Sequence, residues 1–66
     1  MSVYKVVELI GTSQKSWEDA AKQAVEKADK TLNGLRIAEI KQLDIKLEDG
    51  QFVAYRAKVA LSFKYE

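Results

Sequence analysis

The sequence predicts an α+β domain of order β-α-β-β, with a three-stranded antiparallel sheet covering one amphipathic helix. Three observations carry that reading. Only Ser16–Leu32 has long helical periodicity, the flanking segments are rich in Val, Ile, Leu, Tyr and Phe, and Asp49-Gly50 divides the second half like a hairpin turn.

Ser2–Ile10, SVYKVVELI, is the first strand. Its alternating faces, Val3, Lys5, Val7, Leu9 and Tyr4, Val6, Glu8, Ile10, are both largely apolar, which predicts cover on both sides. Gly11-Thr12-Ser13 is expected to break it. Ser16 followed by Asp19 marks the helix start, the hydroxyl capping free N–H groups and the acid complementing the first turn; Ser13 is the other candidate cap. Along the helix, Trp17, Ala20, Ala21, Ala24, Val25, Ala28 and Leu32 form one stripe opposite a charged face. Most of that stripe is alanine, so the helix can lie close to its sheet while burying little area per turn. Asn33-Gly34 ends it, as residues tolerant of a left-handed conformation do. Leu35–Leu47 is the second strand and Gln51–Tyr65 the third.

With Asp49-Gly50 as the turn, an unbroken ladder pairs Glu48 with Gln51, Lys46 with Val53, Asp44 with Tyr55, Gln42 with Ala57, Ile40 with Val59 and Ala38 with Leu61. One face then carries Ala38, Ile40, Val53, Tyr55, Ala57, Val59, Leu61, Phe63 and Tyr65 and suits the helix. The other carries Leu35, Ile37, Leu43, Ile45, Leu47, Phe52, Ala54 and Ala60, interspersed with Glu39, Lys41, Arg56, Lys58, Ser62 and Lys64. One helix cannot cover both. The uncovered set predicts an obligate homo-oligomer.

Size supports the same expectation. A single domain spanning 1–66 buries a small fraction of its surface and needs outside help, and with no Cys and no His neither disulfides nor a His/Cys zinc site provides it. Net charge is +1 with acids and bases interspersed, which argues against nucleic acid or an anionic membrane as main partner. No apolar run is long enough to span a bilayer, no signal-peptide core opens the chain, and the cytoplasm is the expected compartment.

The usual Ser-His and Cys-His nucleophile pairs are excluded, and no enzyme is expected. Glu18-Asp19 and Glu48-Asp49 read as helix-dipole and turn chemistry, and Gly11-Thr12-Ser13 as a strand-to-helix turn in preference to an anion-binding loop. Trp17 reads as a core anchor. Asp44, mid-strand and opposite Tyr55, has two readings, a partner for a Lys or Arg of a neighbouring subunit or an oxygen ligand for a hard cation such as calcium. Arg56 and Lys58 read as an interfacial ion-pair network or as recognition of an anionic or planar ligand.

VYKVVELIGTS, SWEDAA, YRAK and the ending KVALSFKYE make the whole chain resemble the dodecins. The resemblance implies a hollow dodecamer, each sheet wrapped around its own helix, that stores or buffers flavin (riboflavin, FMN or FAD) without turnover. In flavin-binding members a Trp on the second strand stacks on the flavin ring and a Gln on the third strand bonds its edge. Ile37 and Arg56 stand at those positions here. Ile37 supplies no aromatic platform and Arg56 only donors. The chain is in this respect similar to a branch that includes calcium-binding dodecins, for which Asp44 is the first metal-ligand candidate and Glu8 the second. The expected function is a shell that binds and stores a small ligand; the alternatives are a calcium-binding shell and a purely structural assembly.

Overall fold

The computed structural model describes residues 1–31 and 33–65. Its elements are β1 (Val3–Ser13), α1 (Trp17–Thr31), β2 (Leu35–Glu48) and β3 (Gln51–Tyr65), in the predicted order. The sheet is antiparallel with β3 in the centre, order β1-β3-β2. Leu32, which closes the expected stripe, and the side chain of Tyr65 lie outside the described residues.

The first strand does not break at Gly11. It continues to Ser13, with Gly11 paired to Ala57, Thr12 to Arg56 and Ser13 to Tyr55. Glycine is there because of what lies above it. A Cβ on Gly11 would stand 2.0 Å from the Ala20 carbonyl oxygen and 3.1 Å from the Ala24 nitrogen, so the helix backbone rests directly on the strand. Ala20, Ala24 and Ala28 form the buried helix face, and Ala57, Val59 and Leu61 of β3 meet it. Leu9, Ala21, Val25 and Leu35 pack around this cluster.

Both helix boundaries follow local chemistry. The Ser16 hydroxyl accepts from Asp19 N–H at 2.9 Å and its carbonyl accepts from Ala20 N–H at 3.0 Å, so Ser16 is the cap. Ser13, the other candidate, instead donates to the Asp19 carboxylate at 2.6 Å and accepts from Lys15 N–H at 2.9 Å. Beyond the helix, Gly34 has φ of 76°, and its carbonyl accepts from Lys64 N–H at 3.0 Å. Asp49 and Gly50 both have positive φ, 51° and 74°, as a type I′ hairpin turn requires.

The hairpin register departs from the unbroken ladder in its middle. Glu48–Gln51, Ile40–Val59 and Ala38–Leu61 pair as expected, but Val53 is an extra residue on β3 and Lys41 an extra residue on β2. Between these bulges every pair is shifted by one, so Asp44 faces Arg56 and Ile45 faces Tyr55. A second extra residue on β2, Arg36, shifts the pairing again beside Phe63, so Leu35, as well as Leu43, Ile45, Leu47 and Phe52, lies on the helix side of the sheet, not on the far side as the simple alternation placed it. The far side holds Tyr4, Val6, Glu8, Ile10 and Thr12 of β1, Ala54, Arg56, Lys58, Ala60 and Ser62 of β3, and Ile37, Glu39, Gln42, Asp44 and Lys46 of β2.

The helix covers β1 and β3 and barely reaches β2, most of whose residues are exposed. Ile40, Leu43, Ile45, Leu47 and Phe52 remain 43–59% exposed on the helix side, and Val6, Ile10 and Ile37 more than 50% exposed on the far side. The expected cover on both faces of β1 is absent within one chain. Among the described residues the buried core comprises Ala20, Ala24, Ala28, Ala54, Ala57, Ala60, Val59 and Leu61. Six of these eight are alanines. The chain is correspondingly extended, with dimensions of 49 × 19 × 15 Å and a radius of gyration of 13.3 Å. A compact domain of this length has a radius near about 11 Å. Its 5003 Å² of accessible surface also exceeds the roughly 4,200 Å² usual for its mass. No described helix is long and apolar enough to cross a membrane.

Gly11→Ala is expected to destabilise the protein by about 1–3 kcal/mol, because backbone on both sides blocks relief of the added methyl. Thermal unfolding at fixed protein concentration checks this; an unchanged midpoint would mean that helix and strand separate freely.

Candidate functional site

The far side of the sheet and the open flank of the helix are the two places where this chain gathers chemistry. On the far side, the shifted register sets Asp44 directly across from Arg56. Arg56 Nε donates to Asp44 Oδ1 at 2.8 Å and Nη2 donates to Oδ2 at 2.9 Å, a bidentate fork. The pair is intrachain, which corrects the expectation of a partner from a neighbouring subunit. Both side chains are a little over one-third exposed.

Asp44 is held from the opposite side as well. The Trp17 indole N–H donates to the Asp44 carbonyl at 3.0 Å. Trp17 also meets Tyr55 edge-on at 4.8 Å, and Tyr55 meets Phe52 edge-on at 5.0 Å. Trp17 thus anchors the helix start to the hairpin, as its place on the apolar stripe suggested. Beside it, Trp17, Glu18, Ala21, Ile40 and Leu43 line an open, largely apolar cleft of about 480 Å³ between α1 and β2.

The Arg56 fork holds the Asp44 carboxyl below the ordinary aspartate value of 3.8. Desolvation opposes this, while the charges of Arg56 and Lys58 reinforce it. Asp44 in turn pushes the Arg56 guanidinium up. Because the folded-state value is depressed, the pair's contribution to stability is present above pH 3.8 and is lost as pH falls through the lowered value. Asp19 is lowered too, first through its hydrogen bond from Ser13.

The remaining sequence candidates are spread along the far side. Glu8 pairs with Ala60, which pairs with Glu39 on the other flank, so two carboxylates bracket one alanine. Their Cα atoms are about 10 Å apart, two strand spacings. Glu39 had stood in the sequence only as one charge among several; a Glu aligned across a small residue with another Glu is the signal that the register supplies. Glu8 and Asp44 are not together, since four residues of β3, about 13 Å, separate their rungs. Ile37 faces Ser62, six residues from Arg56, on the same side of the sheet. No group of three or more metal-ligating acids is found among the described residues. Gly11-Thr12-Ser13 is ladder, not a loop presenting free N–H groups, which removes the anion-loop reading.

A family model described as Dodecin matches residues 3–66. A protein of Mycobacterium tuberculosis called calcium dodecin is 42% identical over 64 residues, covering 97% of this chain and 90% of that protein. The dodecin of Thermus thermophilus is 34% identical over 64 residues, covering 97% and 93%. Among solved structures, the dodecin of Streptomyces coelicolor superimposes with a TM-score of 0.89 at 34% identity, covering 98% of this chain and 93% of that one. The calcium-chelating M. tuberculosis protein, described with a calcium-binding site, gives 0.86 at 40% identity, covering 98% and 93%.

Removing the guanidinium with Arg56→Met is expected to raise the Asp44 titration midpoint toward 3.8 or above. Carboxyl-carbon NMR of wild type and variant reads this; coincident titration curves would show that the fork does not persist in solution.

Proposed function

The chain belongs to the dodecin family, and on that footing we propose that it is a non-enzymatic homo-oligomeric shell holding a small ligand, a hard cation such as calcium in preference to flavin. The observation that carries the ligand choice is the Asp44–Arg56 fork. At the position where the resemblance implies an amide reading the flavin edge, the guanidinium is already paired to a carboxylate of its own chain. At the position implying an aromatic platform, Ile37 presents an exposed aliphatic side chain. Stacking on such a platform contributes about 1 kcal/mol per contact beyond buried area, and Ile37 forgoes it. These residues do not fit the usual flavin arrangement.

The exposed apolar rows of β2 support assembly. An alanine core buries too little area for a chain of this size to stand alone, and a second copy laid over the helix-side row of β2 supplies the missing cover. Twelve copies is the number that the resemblance implies.

Calcium draws support from the 42% identity to a protein named for it and from the acids of the far side. Glu8 and Glu39 are not ion-paired among the described residues, whereas both oxygens of Asp44 accept from Arg56. Glu8 is therefore the stronger ligand candidate, and Asp44 serves only where its fork opens. Calcium takes about six to eight oxygens, so two carboxylates of one chain need neighbouring copies and water to complete the shell.

Three measurements test this on chelator-treated protein. Light scattering at micromolar concentration is expected to give a closed oligomer and no monomer. Calorimetry is expected to show saturable calcium binding that weakens roughly tenfold or more in Glu8→Gln, the equivalent of about 1.4 kcal/mol, with oligomer size unchanged. Riboflavin fluorescence is expected to show no saturable quenching. Quenching at one flavin per subunit without a calcium response would reverse the ligand choice, and a monomer would remove the shell.

A further inference from the structure

We propose that Asp44 is the specificity-determining residue of the far side of the sheet, its carboxylate filling the place that an external oxyanion would otherwise take on Arg56. The inference refines the ligand choice above. It rests on an intrachain contact, so it stands or falls separately from the shell and from calcium.

The geometry of the fork is that by which an arginine recognises a free carboxylate or phosphate, two parallel N–H···O bonds at 2.8 and 2.9 Å. Two neighbours of Arg56 are suited to an anion. Lys58 lies two residues along β3 on the same face, and Thr12 faces Arg56 from β1 with a hydroxyl. The Arg56 and Asp44 side chains are each a little over one-third exposed, so a small anion has access. Asp44 is the acid that the register sets across from Arg56, and its charge balances the guanidinium.

Two structural devices make this internal anion hard to displace. The Val53 bulge brings Asp44 into register with Arg56, and without it Tyr55 would face Asp44. The Trp17 indole then fixes the Asp44 backbone from the other side of the sheet. A carboxylate delivered by a paired strand acts at a high effective concentration, millimolar or above, against which a dissolved oxyanion competes poorly. Far-side binding in the native protein is thereby biased against phosphate- and carboxylate-bearing small molecules. Losing the acid converts the same surface into a site for them, with Arg56 as the fork and Lys58 and Thr12 beside it.

Inorganic phosphate is the probe, titrated into wild type, Asp44→Ala, and Asp44→Ala combined with Arg56→Met, following the heat of binding in all three and the Arg56 Nε–H resonance in the two that keep the arginine. Asp44→Asn, which preserves side-chain shape and so protects the fold, is run alongside. Asp44→Ala is expected to bind phosphate saturably, at least roughly tenfold more tightly than wild type. Asp44→Asn is expected to gain less, since its amide oxygen still accepts one bond from Arg56. The double variant is expected to lose the gain. Equal phosphate affinity in wild type and both Asp44 variants overturns the proposal, as does binding that survives Arg56→Met. Light scattering on each sample reports the oligomer independently, so a failure of assembly is read apart from a failure of the anion switch.

Discussion

The contact on which the rest of the molecule depends is the one between Gly11 and the helix backbone at Ala20 and Ala24. Nothing larger than hydrogen fits there, so helix and strand meet backbone to backbone, and the helix stripe must be built from alanine. The consequence propagates outward. A helix seated that low buries little apolar area, lies chiefly over β1 and β3, and leaves most of the apolar residues of β2 in solvent. The same closeness that fixes the helix therefore leaves these residues without cover from their own chain.

A second constraint acts along the sheet. The hairpin turn alone would have set Asp44 opposite an aromatic ring. The extra residue at Val53 slides the pairing by one, and the extra residue at Lys41 slides it back, so the altered register is confined to the stretch between them. That stretch holds the Asp44–Arg56 fork on one side and the Leu43, Ile45 and Tyr55 row on the other. One local irregularity thus sets the charge pattern of the far side and the shape of the cleft beside Trp17.

Most of the fold was legible in the sequence because it depends on local signals. The alanine stripe, the Ser16 cap, the positive-φ residues at Gly34 and Asp49-Gly50, and the three strands each follow from a few neighbouring residues. Gly11 misled, because glycine breaks strands by default, and its role here is long-range close packing that no local window reveals. The bulges misled for a related reason. Their signal was present in Leu43, Ile45 and Leu47, which join the helix-facing apolar row only if the ladder slips. Strict pairing from the turn hid it, and with it the intrachain partner of Asp44. Ile37 and Arg56 were legible as departures from a pattern, whereas the state of Arg56, already occupied by an acid, required the register.

The two bulges of β2 have a bearing on solubility. β2 is an outer strand whose free N–H and C=O groups invite another strand, and its apolar rows make it a template for open-ended fibrillar growth. The extra residues at its bulges are Arg36 and Lys41, both cations. Each bulge interrupts the even spacing that strand addition requires, and each places a charge where a flat neighbour would have to desolvate it. These two residues thereby discourage amyloid-like stacking along the β2 edge of the sheet.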